Sequence, residues 1–527
     1  MAGPLKGVDP AAATSRFPDP VPSDGAEALA ARSSTLRSDA SVAIPRESAV
    51  DHKADELLED QVKAVYREIL KRAPEHDFAP SLDRMRAAME LLGEPQRTYR
   101  VIHVAGTNGK TSTARIAESL VRAQGLRTGL LTSPHLSSVR ERIAIDGQPI
   151  SRADFLDAWS LVGPVVDLVD QRSTAAGGPA MSFFEVLTVL GFVACADAPV
   201  DVAIVEVGMG GTWDATNVVE SSVQIITPIA RDHEHWLGST LEAIAAEKAG
   251  IIRTRAVIGD QPAIAAAVIE EKLLQTGATA YWLGRDFEIL GRGMAVGGQI
   301  FRLRGLAGEY EEVALSLFGA HQAENAALAT AAVELLMSDG TEPLPGGAYL
   351  EGIETATSPG RLEVVRQAPT VLVDSAHNLA GAEALVAALD EAFPLPLIGL
   401  VGVLADKDAE ALLGALEPVL KQVVTSRSAS ARAAEPEELG AIAREVFGED
   451  RVEVVERLDD ALVRAIELAE IDAGDSPSPL ATGVLATGSV TIAAEVRILL
   501  GAERSDTYRH PARGEAQSRA FGRIRAR

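Results

Sequence analysis

The sequence predicts an α/β protein of two domains, the second smaller and built on a mostly parallel, Rossmann-like sheet. Three observations carry this expectation. A length of 527 residues exceeds what one hydrophobic core organises. At residues 101–113, VIHVAGTNGKTST, an apolar strand runs into a two-glycine turn and then a helix of about four turns. Beyond residue 360, short apolar runs alternate with helical spacing, the rhythm of strand, crossover helix and parallel strand.

Taken in order, residues 1–50 are rich in Ala, Pro and Ser without an apolar period and are expected to be disordered. Helices follow at 57–72 and 82–92, expected beside the first domain, and Gly93 to Pro95 break the second. After the glycine turn come a strand at 126–131 and a polar loop, TSPHLSSVRERIAIDG, at 132–147. Helical spacing at 153–169 and 181–196 is separated by a mobile connection at 171–180. A strand at 202–207 precedes the glycine-rich loop 208–219, and another at 223–229 ends in RDHEHW, after which Thr240 caps a helix ending near Gly250. Residues 255–317 are expected to finish the first sheet with short strands and one helix, and a helix at 323–336 follows FGAHQ. The first domain is thus placed at 51–346, with an aperiodic Gly/Pro/Thr-rich linker at 347–359. The second spans 360–503, and a basic tail occupies 504–527.

Composition excludes several classes. A formal net charge of -26 argues against a general nucleic-acid or anionic-membrane binder. No apolar run approaches the ~18 residues of a spanning helix, and the N-terminus lacks a signal-like apolar segment, so a cytoplasmic protein is expected. The single cysteine, Cys195, lies in an apolar run and reads as a small buried side chain.

The chemistry-bearing residues cluster at strand ends. In the glycine turn, the backbone amides of Gly106, Thr107, Asn108, Gly109 and Lys110 can face phosphate oxygens, helped by the helix N-terminus. The Lys110 side chain supplies positive charge, and Thr111 or Ser112 a hydroxyl for a magnesium ion. This P-loop-type site suits ATP, although Val104 stands where the standard motif has glycine. Glu206 interrupts an apolar strand and requires a metal or a basic partner. Asp214, Thr216 and Asn217 can fix their loop or touch substrate, and Ser133, Pro134, His135 and Arg140 lie in a loop where open α/β sheets place substrate contacts. Asp232, His233 and His235 admit zinc, but oxygen-ligated magnesium with one histidine fits a phosphate loop better. His321, Gln322 and Asn325 share one helical turn. In the second domain the polar strand ends are Asp374 to Asn378 and Asp406 to Asp408.

The ordered set GTNGKTST, TSPHLSSVRERI, VEVGMGGTWDATN, ITPIARDHEHWLGSTLEAIAAEKAGII, HQAENAALA, SPGRLEVV and VLVDSAHNLAG resembles the bifunctional dihydrofolate synthase/folylpolyglutamate synthase family. That family belongs to the Mur-type ATP-dependent amide ligases, and the resemblance covers about residues 55–503. It implies a Mur-ligase-like nucleotide domain over which the C-terminal domain closes. It also implies an ATP- and Mg2+-dependent reaction, with two magnesium ions, joining a dihydropteroate or folate carboxylate to L-glutamate in a monomeric enzyme. By this resemblance Lys110 and Thr111 serve the phosphates, while Ser133, Glu206 and His233 serve magnesium. Lys248 matches a lysine that is carbamylated in family members and then ligates metal; the unmodified, ion-paired lysine is the alternative. Arg361 and Asn325 approach the nucleotide, and Asp374 and His377 close its site and position the incoming amino acid. Thr111, Thr212, Ser358 and Leu379 depart from the residues usual at their positions. A wall-precursor ligase is the nearest competing reading, and a non-catalytic ATP-binding regulator a more distant one.

Overall fold

The computed structural model describes residues 49–74, 79–474 and 481–502. What was expected of residues 1–48 and 503–527 lies outside these described residues. The first lobe is organised by an eight-stranded sheet. Its strands are β1 (Arg100–Ala105), β2 (Thr128–Leu131), β3 (Ile143–Ile145), β4 (Gln148–Pro149), β5 (Val202–Glu206), β6 (Val223–Ile226), β7 (Arg255–Ile258) and β8 (Thr279–Trp282), in spatial order β4-β3-β2-β5-β1-β6-β7-β8. From β2 to β8 all neighbours pair in parallel, so β1, β2, β5 and β6 present their C-terminal ends along one edge. Their apolar runs are continuous because helices cover both faces.

One face carries the helix Lys110–Ala123 that leaves the glycine turn, packed against Ala320–Ser338. On the other face lie Ala49–Ile69, Asp83–Leu91, Arg152–Ala175 and Phe183–Asp197, where Ile69, Met85, Phe155 and Phe192 share a core with Val101 and Val205. The two early helices therefore pack beside the nucleotide domain as expected. Ser182 caps Phe183–Asp197 through a capping box with Glu185, and Thr240 caps Leu241–Ala249.

Four expectations are corrected. The polar loop 132–147 contains β3, which pairs antiparallel with β2 and extends the sheet edge, because Ile143 and Ala144 are apolar enough to bury there. The helix Arg152–Ala175 runs through half of the expected connection 171–180. Residues 255–317 do not all finish the first sheet. Only β7 and β8 join it, whereas β9 (Glu288–Ala295), β10 (Gly298–Arg304) and β11 (Glu309–Leu315) form a separate antiparallel meander with buried Phe301, Leu303 and Val313. Much of the expected linker is the helix Gly346–Glu354, which buries Tyr349 and Ile353 against Lys110–Ala123. Gly352 permits that contact, since a Cβ there would stand 2.9 Å from the Leu120 Cα.

The second lobe holds β12 (Glu363–Gln367), β13 (Thr370–Val373), β14 (Leu397–Val401), β15 (Leu420–Arg427), β16 (Val452–Arg457) and β17 (Gly483–Thr487), in order β12-β13-β17-β14-β15-β16. Only β12 is antiparallel to its neighbour, so the mostly parallel sheet is as expected. The C-terminal ends of β13 and β14 face the first lobe's strand ends, a meeting fixed by the contacts described next.

Candidate active site

The phosphate loop leaves β1 at Ala105 and turns through Gly106 and Gly109, both at positive φ (145° and 85°). Neither position has room for a side chain: a Cβ would stand 1.9 Å from Thr227 Oγ1 at Gly106 and 2.4 Å from Asn325 Oδ1 at Gly109. Two of the amides expected to face phosphate are otherwise engaged. The N–H groups of Thr107 and Asn108 donate to the Pro228 carbonyl at 3.0 and 3.3 Å, and Thr107 Oγ1 donates to the Ala230 carbonyl at 3.0 Å. These bonds shape the loop, leaving the first-turn amides of Lys110, Thr111 and Ser112 as the helix-terminal donors. Lys110 curls back so that Nζ donates to the Thr107 carbonyl at 3.0 Å; burial lowers its pKa and the Glu206 charge opposes that shift.

Glu206, at the end of β5, gathers the neighbouring loops. It accepts a hydrogen bond from Thr111 Oγ1 at 2.7 Å and from the Ser133 N–H at 3.1 Å. Burial pushes its carboxyl above the usual range, and Lys110 pulls against that. The Ser133–Pro134 peptide is cis. Thr111 and Glu206 thus bring a hydroxyl and a carboxylate together, hard oxygen donors of the kind magnesium takes, and Ser133 reaches Glu206 through its N–H. Among the described residues no three His, Cys, Asp or Glu side chains group as a metal site, so zinc has no such cluster. His233 stands at φ 54° with its ring 37% exposed and its pKa lowered, chiefly by burial, leaving a neutral imidazole. Lys248 is buried; its Nζ donates to the Gly106 carbonyl at 2.7 Å, and its pKa is held down to about 7, first by burial and then by Lys110.

Several residues expected to contact substrate make internal hydrogen bonds. Thr216 Oγ1 donates to Asp214 at 2.5 Å and lies 2.8 Å from His103 Nε2. Asn217 donates to the Thr212 carbonyl and accepts from Arg253, each at 3.0 Å. Arg140 donates to the Ile150 carbonyl at 2.8 Å, while His135 accepts from Arg142 at 2.8 Å and lies 3.4 Å from the Tyr66 hydroxyl. Asn325 accepts from Thr113 Oγ1 at 3.2 Å and supports Gly109, with Gln322 bound to its amide; the pair braces the loop. The unusual Thr212 is likewise structural: its N–H and hydroxyl reach the Glu247 carbonyl at 3.0 and 3.2 Å, beside the end of the Lys248 helix. Ser358 hydrogen bonds Ser112 at 3.0 Å, and Leu379 opens the helix capped by Asn378.

Asp214 differs from its neighbours because it also lines a cavity with Phe184, Met209, Trp213, His233 and, from the second lobe, Arg432. Burial raises its pKa to about 6 against hydrogen bonds from Thr216 and Met209. A flat aromatic wall beside a carboxyl group suits a planar ring carrying N–H donors.

From the second lobe, Asp374 accepts from the Ala376 and Leu362 amides at 2.7 and 2.8 Å, so it holds the turn next to Arg361. Among the described residues the Arg361 guanidinium has no hydrogen-bond partner, while its charge reaches Lys110, Glu206 and Asp374. His377 Nε2 lies 3.2 Å from Asp232 Oδ2, and Asn378 and Asn108 exchange amide hydrogen bonds at 3.1 and 3.2 Å. Asp232, Asn378 and Lys407 were noted only as polar groups at strand ends, without these roles, and Phe184, Trp213 and Arg432 were not among the predicted site residues. Asp232 and Lys407 had one signal, a charged group at a strand's C-terminal end; Phe184 sits in a helix with no such mark.

Comparison with known proteins agrees with this fold. The family model described as Mur ligase, glutamate ligase domain, matches residues 360–489. The dihydrofolate synthase/folylpolyglutamate synthase of Mycobacterium tuberculosis is 48% identical over 449 residues, covering 82% of this chain and 92% of that protein. The folylpolyglutamate synthase of Lacticaseibacillus casei is 33% identical, covering 79% and 94%. Crystal structures of the Mycobacterium tuberculosis folylpolyglutamate synthase complexed with ADP and AMPPCP align with a TM-score of 0.80 at 46% identity, covering 84% of this chain and 99% of that one. A folylpolyglutamate synthase complex with AMPPCP and folate aligns at 0.72 and 29% identity, covering 84% and 99%.

Proposed function

The chain belongs to the dihydrofolate synthase/folylpolyglutamate synthase family, and from that premise we propose that it joins the carboxylate of dihydropteroate or a reduced folate to the amine of L-glutamate, driven by ATP. The observation that carries the reading is Glu206, whose two oxygens tie the phosphate-loop hydroxyl of Thr111 to the Ser133 loop at the meeting of both lobes. A carboxylate is a poor electrophile, so it first takes the γ-phosphoryl of ATP to become an acyl phosphate. The glutamate amine then attacks the acyl carbon, and the tetrahedral intermediate expels phosphate. The catalytic task is alignment and charge neutralisation, with no covalent nucleophile from the protein.

Lys110 and the first-turn amides would hold the β- and γ-phosphates, and Arg361 would approach them from the second lobe. Thr111, Ser133 and Glu206 would hold one magnesium ion, and His233 with a carbamylated Lys248 a second. Bound magnesium supplies charge neutralisation on the transferring phosphoryl group. A protonated Lys248 is itself a cation and does not fit a metal; its pKa near 7 leaves a share of neutral amine that can add to carbon dioxide, losing a proton and forming a carbamate. The cavity of Phe184, Trp213 and Asp214 would take the pterin ring, with the reacting carboxylate directed toward His233. Asp374 and His377 would act from the closing lobe, excluding water that would hydrolyse the acyl phosphate. The substrates are small molecules, and no helix among the described residues is long and apolar enough to cross a membrane.

The test follows phosphate release with ATP, magnesium and L-glutamate, offering dihydropteroate and tetrahydrofolate separately and weighing the products by mass spectrometry. Addition of one glutamate to both establishes the bifunctional enzyme, and addition to one assigns a single activity. Release with neither overturns the reading.

A further inference from the structure

Asp232 follows β6 in the first lobe, yet its carboxylate is claimed mainly by the second. Its side chain is 6% exposed, and Lys407 Nζ forms an ion pair with Oδ1. Oδ2 lies 3.2 Å from His377 Nε2 and accepts from Asn378 Nδ2 at 3.0 Å. On its own side, Oδ1 accepts the His233 N–H at 2.8 Å, holding the strained backbone of that residue. One carboxylate thus sets the position of His233 in one lobe and of three side chains in the other.

We propose that Asp232 is a positioning residue that registers the two lobes in the reactive, closed arrangement, with Lys407 as its principal counter-ion. A brace serving one lobe alone would keep its bonds when the lobes part. Here only the His233 amide remains, and Lys407, His377 and Asn378 are all released. Separation returns both charges to water, so much of the ion pair's attraction is offset by hydration and its contribution to folding is modest. Its geometric contribution is larger, because groups aimed across a cleft act only when held within a fraction of an ångström. The Asn108–Asn378 amide pair beside it is too short-ranged to replace an ionic contact in recapturing the lobe.

The kinetic arm of the test rests on the ligase reading; the scattering arm does not. Full-length Asp232→Asn, Lys407→Met and the double variant would be compared with wild type in melting temperature, in kcat and KM for both carboxylate and amino-acid substrates, and in radius of gyration by X-ray scattering with AMPPCP. Each single variant is expected to lower kcat by roughly ten- to a hundred-fold with the KM of the pterin substrate within about threefold, and the double variant to be no worse than the weaker single. The scattering radius with AMPPCP should rise in all three, while each still melts cooperatively. Multiplying losses in the double variant, an unchanged kcat, or an unchanged radius would overturn the proposal. If wild type ligates no glutamate, the ligase reading falls, and an unchanged radius in the variants would still overturn the latch.

Discussion

Gly106→Ala is the substitution whose cost the structure defines most sharply. The residue stands at φ 145°, and the new Cβ would lie 1.9 Å from Thr227 Oγ1 and 2.8 Å from the Thr227 carbonyl oxygen. A non-glycine residue in that backbone region costs on the order of 1–3 kcal/mol. Forcing a methyl group against fixed neighbours adds about 1–3 kcal/mol. The loop can relieve part of this by moving, but the Gly106 carbonyl is the acceptor for Lys248 and the loop is pinned to Pro228, so relief displaces the phosphate site. Urea unfolding should show a loss of roughly 2–4 kcal/mol, and calorimetric titration a fall in ADP affinity of about 30-fold or more. Adding Thr227→Ala removes the 1.9 Å contact but leaves the backbone one, so it should restore only part of each loss. Wild-type stability and ADP affinity in Gly106→Ala, or complete rescue by the second change, would refute this account.

Three further outcomes are expected. Arg84 pairs with Glu185 at 3.0 Å with both side chains under a tenth exposed, so Arg84→Met should cost about 3–5 kcal/mol in urea unfolding. Adding Glu185→Gln should recover part of it, and an innocuous single variant would contradict the assignment. Glu334 accepts from the Leu306 amide and the Tyr310 hydroxyl at 2.7 and 2.8 Å, so Glu334→Leu should cost about 2–4 kcal/mol while leaving ADP affinity within about twofold; a large loss of ADP affinity would show that this end of the helix shapes the nucleotide site. Asp214 titrates at about 6 when folded, against about 3.9 unfolded, so folding takes up a proton between those values and this group lowers stability as pH rises through them. Urea midpoints for Asp214→Asn should therefore gain on wild type from pH 4 to pH 7, and parallel profiles would disprove the shift.

The central strands of the two sheets were legible because they are buried and almost wholly apolar, as in LIGLV of β14 and in VIHVA of β1, where His103 is the one polar residue. The linker was misjudged for a local reason: its turn-forming residues conceal Tyr349 and Ile353, whose burial depends on a helix that precedes them by more than 220 residues. The meander of β9 to β11 was assigned to the main sheet because alternation reports a half-buried strand without naming its partner.

At the site, residue type and order offered Lys110, Glu206 and either Thr111 or Ser112 as candidates, and the family resemblance singled out Thr111 and His233; the fold then sets the Thr111 hydroxyl on Glu206. Roles that rest on shape or on contact across the lobes were decided by the tertiary structure alone. Asp214 and Thr216 stand two positions apart, yet one lines the cavity and the other bonds His103. Asp232 acquires three of its partners from residues 145 to 175 positions later. Sequence by itself determined that a phosphate site stands among polar strand ends, and its ordered motifs, through the family they resemble, pointed to the ligase chemistry. Which carboxylate meets which cation, and which polar group is spent on holding a loop, depended on the distances that folding closes, and a one-dimensional pattern holds no measure of those.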